Sequence, residues 1–264
     1  MNSLDYRHLL VERDGPVLRV TLNAPEKLNA IDFDTESELL RLFQDLRSDT
    51  AISVVVLTGA GCAFSAGGDL EHNLRTAGDM AMVKREFDLA RRFINTLLDV
   101  EQPIICRING DAVGLGATLA LLCDLTIAAD TARIGDPHVR VGLVAGDGGA
   151  LIWPLLVGYA RAKQYLLGGD LLPAPQAQQI GLINFSVPAG ELDALVAHWA
   201  QRFASSARGA LQWTKATVNI GLKDQAAKVL DAGLAYEMNS MRSADHLEAI
   251  HAFQQKRKPN FTGQ

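Results

Sequence analysis

The stretches Ala63-Phe64-Ser65-Ala66-Gly67-Gly68-Asp69 and Ile108-Asn109-Gly110-Asp111-Ala112-Val113-Gly114-Leu115-Gly116 decide how this chain is read. Each follows a short apolar run of the kind that forms a buried strand: Val54-Val55-Val56-Leu57 before the first, Pro103-Ile104-Ile105-Cys106 before the second. Each precedes residues able to enter a helix. A strand that breaks at glycines and turns into a helix leaves backbone N–H groups without partners. Two such turns brought together can aim two N–H donors at one oxygen. That arrangement, an oxyanion hole, serves chemistry on an activated carbonyl.

Working outward, the amino-terminal side reads as a hairpin. Leu9-Leu10-Val11-Glu12-Arg13 and Val17-Leu18-Arg19-Val20-Thr21-Leu22 flank the turn signal Asp14-Gly15-Pro16. A polar loop over 23–29 follows. A helix is expected from Asp34, whose side chain can cap it, with Leu39, Leu40, Leu42, Phe43 and Leu46 as its apolar stripe. A long helix over 82–98 separates the two glycine segments. After the second come a short helix through Leu119-Ala120-Leu121 and the strand Leu125-Thr126-Ile127-Ala128. Strands alternating with helices give an α/β class with a mostly parallel sheet, and two strands before each helix suggest repeated strand–strand–helix units. From about Glu191 onward the pattern is almost wholly helical, punctuated by Gly209, Gly221 and Gly233. The expected division is a core over residues 1–200 and a helical region over 201–264 that is an appendage, not an independent domain.

The 264 residues can bury a full-sized core, and 48% hydrophobic with 21% charged residues is a globular composition. A net charge of -5 gives no general attraction to nucleic acid or anionic lipid. The three cysteines, Cys62, Cys106 and Cys123, lack C-x-x-C spacing, which argues against disulfides and zinc. The first six residues lack a basic region followed by an apolar stretch, and no apolar run approaches the roughly 20 residues that span a bilayer. A cytoplasmic protein is expected.

With these segments in place, the chain resembles the enoyl-CoA hydratase/isomerase (crotonase) superfamily over essentially its whole length. The stretches that carry the resemblance are Leu22-Asn23-Ala24-Pro25-Glu26-Lys27-Leu28-Asn29-Ala30, the Ala63 segment, residues 108–124 and residues 142–149. Arg161-Ala162-Lys163, Gly168-Gly169-Asp170, Ile180-Gly181-Leu182-Ile183-Asn184 and residues 253–261 complete the set. The resemblance implies a spiral of strand–strand–helix units with a carboxy-terminal helical trimerisation region. It also implies a homotrimer or homohexamer acting on acyl-CoA thioesters, with no metal and no redox cofactor, CoA being part of the substrate. The implied oxyanion donors are the backbone N–H groups of Gly68 and Leu115. At 115 a leucine replaces a family glycine, which keeps the donor and adds a side chain at the acyl pocket. Lys27 falls at a position near the CoA phosphates or adenine. Ala63 and Ala66 are placed against adenine and pantetheine, and Lys258 and Phe261, from a neighbouring subunit, over the nucleotide. Asp69 reads as the cap of the following helix and as a substrate contact.

Hydratases of the superfamily use two glutamates to add water across a double bond. Those positions hold Thr118 and His138. A threonine hydroxyl can hold a water or a substrate oxygen and is no base at neutral pH. A histidine can act as base or acid. In an extended Asp136-Pro137-His138-Val139-Arg140, alternate side chains share a face, so Asp136 could orient the imidazole beside Arg140. Asp147, before Gly148-Gly149 and a helix through Leu151 and Trp153, is either that helix's cap or a second catalytic group. Glu71 and His72 fall where relatives line the acyl end of the pocket, though such residues are more often at the surface. Tyr236 and Glu237 could reach the pocket from the helical region, and Trp153 and Trp213 read as core or interface aromatics.

Three functions stay open at this point. The preferred one is an enoyl-CoA hydratase/isomerase type of enzyme holding a thioester enolate at Gly68 and Leu115, with proton transfer by His138, aided or replaced by Asp147. The others are a hydrolase or carbon–carbon lyase of the same superfamily, and an acyl-CoA-binding scaffold without catalysis.

Overall fold

A computed structural model describes residues 6–76 and 79–264; residues 1–5, over which no secretory signal was read, lie outside the described residues. Gly15, at φ +56°, turns β1 (Leu9–Asp14) back on β2 (Val17–Leu22) as an antiparallel hairpin. The helix α1 (Phe33–Leu46) follows. Its cap is Asp32, which accepts from the Thr35 amide, in place of the expected Asp34; only the residue ahead of the first helical turn can reach that amide.

Two strands then open each of the next turns of the chain. β3 (Val54–Gly59) and β4 (Ala63–Ser65) lead into α2 (Leu70–Thr76) and α3 (Met80–Asp99). β5 (Ile104–Ile108) and β6 (Asp111–Val113) lead into α4 (Leu115–Leu121). β7 (Leu125–Ala129) and β8 (Arg133–Gly135) lead, through a short 3₁₀ turn, into α5 (Gly149–Gly168). β9 (Leu172–Pro173), α6 (Ala174–Gln179) and β10 (Phe185–Val187) close the series. These last strands are two or three residues long, too short for an apolar pattern to announce them.

The repetition sorts the strands into two sheets. The hairpin, the first strand of each of the three following pairs and β10 build a six-stranded sheet, β1-β2-β3-β5-β7-β10, parallel except at the hairpin. The second strand of each of those pairs, with β9, builds a smaller sheet, β4-β6-β8-β9. This is the winding of strand–strand–helix units that the resemblance implies. The inner strands of the larger sheet, β3, β5 and β7, are buried on both faces, which is why they read as unbroken apolar runs. Val55, Leu57, Ile104 and Cys106 point into the main core, while Val54, Val56, Ile105 and Ile127 point the other way. That second face is covered by α7 (Leu192–Ala204), through Leu192, Val196 and Ala200.

The remaining chain is helical. α8 (Arg208–Met241) lies against α3 and α5, and α9 (Ala244–Gln254) packs on the 3₁₀ turn and α2. Trp153 is wholly buried in the core, whereas Trp213 on α8 is 69% exposed. No helix among the described residues is long and apolar enough to cross a membrane.

Candidate active site

The two glycine segments meet where the smaller sheet ends. β4 and β6 run parallel, Ala63 opposite Asp111 and Ser65 opposite Ala112, so the turns that follow them emerge side by side. Gly67, at φ +91°, and Gly114, at φ +53°, adopt conformations that disfavour other residues. A Cβ on Gly67 would lie 2.6 Å from the Val113 carbonyl oxygen and 3.5 Å from the Leu115 nitrogen, so the turns touch backbone to backbone. The Ile31 amide donates to the Gly67 carbonyl at 2.7 Å, and the Asp69 amide donates to the Ile31 carbonyl at 3.2 Å. Gly68 lies between these bonds. Its N–H, like that of Leu115 at the start of α4, has no acceptor among the described residues. Both residues line one cavity of about 780 Å³.

At the same cavity, Asp69 caps α2, its Oδ1 accepting from the amides of Glu71 at 2.9 Å and His72 at 3.1 Å. Its Oδ2 pairs with Lys27 Nζ at 3.2 Å. Burial works against the charged form of Asp69, but the His72 amide and Lys27 outweigh it and hold the carboxyl below its ordinary range.

The same cavity is lined by ionisable side chains. After Pro137 the backbone enters the 3₁₀ turn His138–Val141, so the extended segment expected there is corrected. Asp136 still meets His138, Oδ1 to Nδ1. Arg140, which the alternation placed beside them, is turned away to Asp170 and the Gly168 carbonyl, because residues two apart in a 3₁₀ turn do not share a face. His138 Nε2 lies 3.5 Å from Asp147 Oδ2 and 3.9 Å from Glu237 Oε1. Thr118 Oγ1 donates to Asp147 Oδ1 at 3.2 Å and the Gly149 amide donates to the same oxygen at 3.3 Å, so Asp147 also serves the start of α5. Asp147 Oδ2 and Glu237 Oε2 accept no hydrogen bond among the described residues.

Glycine sets the spacing here too. A Cβ on Gly114 would come within 3.4 Å of His138 Cε1, which joins the two walls. A Cβ on Gly146 would lie 2.2 Å from the Gly233 carbonyl oxygen and 2.9 Å from Glu237 Cβ. The loop before α5 therefore sits on α8 with no side chain between, one helical turn from Glu237. His246 of α9 holds the 3₁₀ turn from behind, Nδ1 to the Val141 carbonyl at 2.6 Å.

These side chains act on one another's charge. Burial alone would lower the pKa of His138, but Asp136, Asp147 and Glu237 overcome it and keep the imidazole protonated well above its ordinary range. Burial raises Asp147, with Asp136 adding to the effect and His138 opposing it. Burial and then the charge of Asp147 raise Glu237 well above the ordinary carboxyl. Ligand atoms of Asp136, His138 and Asp147 fall within 4.8 Å of one another, as in a cation cradle.

Of the residues expected at the acyl end, Glu71, His72 and Glu237 line the wall and Tyr236 does not. His72 Nε2 meets Glu86 Oε1 at 2.7 Å. Glu36 of α1 stands on the same wall, buried, its carboxyl pushed up to about 8 by burial and then by the charges of Asp147 and Glu86. Glu36 and Glu86, which the sequence analysis does not single out, share with Glu237 a signal that could have found them. Each is an acid inside a buried helical stripe: Glu36 with Leu39, Leu40 and Phe43, Glu86 with Val83, Leu89 and Phe93, and Glu237 with Leu230, Leu234 and Met241.

Of the remaining expected residues, Lys27, Ala66 and Asp69 lie on the cavity wall. Ala63 and Thr118 are buried behind it. Lys258 is exposed and off this wall, and Phe261 lines a separate pocket with Val139, Leu143 and Val144. Tyr236 points outward at 65% exposure, while its neighbour Glu237 points in.

The comparisons agree with one another. The family model for enoyl-CoA hydratase/isomerase matches residues 12–264. The chain is 32% identical over 262 residues to a crotonyl-CoA hydratase from Syntrophomonas wolfei, covering 97% of this chain and 98% of the relative. It is 35% identical over 253 residues to the 1,2-epoxyphenylacetyl-CoA isomerase of Escherichia coli, covering 94% and 95%. The crystal structure of an enoyl-CoA hydratase/isomerase from Mycobacterium paratuberculosis superposes with a TM-score of 0.90 at 34% identity, over 94% of this chain and 99% of that one.

Proposed function

The chain belongs to the enoyl-CoA hydratase/isomerase family, and from that membership we propose that it processes acyl-CoA thioesters, holding the thioester oxygen at the Gly68 and Leu115 amides and moving protons with His138, Asp147 and Glu237. The observation that carries this reading is the meeting of two things at one cavity: a pair of unpartnered amides, and His138 Nε2 within 3.5 Å of Asp147 and 3.9 Å of Glu237.

When a proton leaves or joins carbon next to a thioester, negative charge builds on the carbonyl oxygen. Two N–H donors stabilise that charge more than the neutral carbonyl, which lowers the barrier, and one such donor contributes about 2.7–4 kcal/mol. The family's two glutamate positions hold Thr118 and His138 here. In our reading their work passes to carboxyl groups at other positions, Asp147 and Glu237. The carboxylates around His138 favour its cationic form, and burial raises the affinity of Asp147 and Glu237 for a proton, so in our reading these two carboxyls carry the mobile proton. Thr118 holds Asp147 in place. In a double-bond shift, one carboxylate takes a proton from C4 and the acid returns one to C2. In hydration, one activates the water that adds at C3 and the other protonates C2.

CoA would extend from the cavity past Lys27, Asp69 and Ala66, with Ala63 buried and off the wall. Lys258 and Phe261 would reach the nucleotide from a second copy in a homotrimer or a pair of trimers. Support for assembly comes from exposed apolar side chains, Trp213, Val218 and Ile220 on α8 and Tyr159 and Leu167 on α5. Sedimentation that finds only monomer would remove that part.

The test is turnover of 2-enoyl- and 3-enoyl-CoA in D₂O with ¹⁸O-labelled water. Deuterium at C2 supports the reading, and ¹⁸O at C3 marks hydration over isomerisation. Binding without turnover would replace it with the scaffold. A second reading has its own observation, since the Asp136–His138 pair beside two further carboxylates could deliver water to a carbonyl carbon. Turnover of a free β-diketone alone would establish that hydrolase or carbon–carbon lyase instead.

A further inference from the structure

Glu36 takes no part in the proton transfer described above, yet it occupies the same cavity. It sits in the first turn of α1, only 8% exposed, and its Oε1 has no hydrogen-bond partner among the described residues. Around it stand Glu86 of α3, Asp147 of the loop before α5 and Glu237 of α8, with His72 of α2 bound to Glu86. Ile31, Phe33, Phe87 and Ala90 supply apolar wall between them. With its affinity for a proton raised by burial and by these acids, Glu36 at neutral pH is an uncharged carboxyl, able both to donate and to accept.

A hydrocarbon chain filling this space would expel the water that can reach Glu36 and leave a buried polar group unpaired. An acyl chain bearing a carboxylate would face Glu86, Asp147 and Glu237. A chain bearing a neutral oxygen would satisfy the carboxyl without adding charge. Resting on the thioester reading above, we infer that Glu36 is a specificity-determining residue, and that the acyl group taken by this cavity carries an uncharged hydroxyl or keto oxygen, beyond the reacting carbons, that hydrogen-bonds the Glu36 carboxyl.

The experiment compares two saturated acyl-CoA thioesters of equal length, one plain and one with a hydroxyl at the chain end, in the full-length protein. Calorimetric binding reads selectivity without chemistry, and kcat/KM on the matching enoyl pair reads it with chemistry. Wild type is expected to favour the hydroxylated chain by about 10- to 100-fold. Glu36→Gln, which also donates and accepts, should keep most of that preference. Glu36→Leu should abolish it while binding the plain chain at least as well. Equal or better binding of the plain chain by wild type overturns the inference, as does a preference that survives in Glu36→Leu. Tighter binding of a carboxylate- or amine-ended chain than of the hydroxylated one overturns it too. If both chains bind and react without selectivity, this inference alone falls; if neither binds, the thioester reading falls with it.

Discussion

The cavity has two walls made in different ways. One is backbone: Gly67-Gly68 and Gly114-Leu115, brought side by side by two parallel strands. The other is side chain: His138 from a 3₁₀ turn, Asp147 from the loop before α5 and Glu237 from α8. The backbone wall presents amides that no substitution of side chain removes, except to proline. The other wall can exchange one acid for another as long as a carboxyl reaches the same space. On the proposed function, charge stabilisation would be held fixed within one fold while the route of the proton is free to change.

Changes at the side-chain wall should have the largest effect. Asp147→Asn is expected to lower kcat by about 10²- to 10⁴-fold, the usual worth of a general acid or base, with binding of a CoA thioester kept. A loss under tenfold in both Asp147→Asn and Glu237→Gln would break the distinction, because the proton would then travel elsewhere. Next is the backbone wall. Gly68→Pro deletes one N–H and should cost about 10²- to 10³-fold in kcat. Gly68→Ala should stay close to wild type, because a Cβ there meets nothing within 4 Å. Equal kinetics for the two variants would remove Gly68 as a donor.

Gly67→Ala sharpens the comparison by acting on stability. Its φ of +91° and a Cβ only 2.6 Å from the Val113 carbonyl oxygen predict a loss of roughly 1–3 kcal/mol, read by chemical denaturation. A smaller effect depends on pH. The Glu36 carboxyl rises from 4.5 in the unfolded chain to about 8 in the fold, so the folded protein keeps a proton that the unfolded chain releases. Its contribution is full below the unfolded value and is lost as pH rises toward the folded one. Asp147, Glu237 and His138 shift in the same sense. Wild type should therefore lose stability across that window, and Glu36→Gln should flatten the slope by up to about 1.4 kcal/mol per pH unit, as followed by denaturation at a series of pH values. Least of all, Lys27→Ala should change stability by no more than about 1 kcal/mol, since the ammonium that pairs with Asp69 is half exposed. Its effect should be on KM for the thioester.

The two walls also differ in how well the chain announces them. Glycines needed at positive φ and apolar runs ahead of them are local features, so Gly67, Gly68, Gly114 and the strands before them could be read in order. His138 and Asp147 lie nine positions apart in one marked segment and were also within reach. Glu237 could be raised as a candidate with no stronger ground than Tyr236 beside it, because its position depends on how α8 crosses a loop some ninety residues earlier. Glu36 is not singled out by the sequence analysis, although its place in an apolar stripe is visible in the sequence. Arg140 was misplaced because Pro137 precedes a 3₁₀ turn, and a five-residue window does not distinguish that from an extended segment.

The contact between Gly146 and Gly233 has a consequence for anyone rebuilding this protein. Glu237 occupies its place because a loop and a helix meet there without a side chain between them, at a separation where even one methyl group would collide with a carbonyl oxygen. Grafting the acid alone onto a related scaffold would transfer the functional group and leave behind the joint that aims it. The portable unit is three residues, Gly146, Gly233 and Glu237, drawn from two segments, and a chimera that takes α8 from one parent and the preceding loop from another would have to inherit both glycines together.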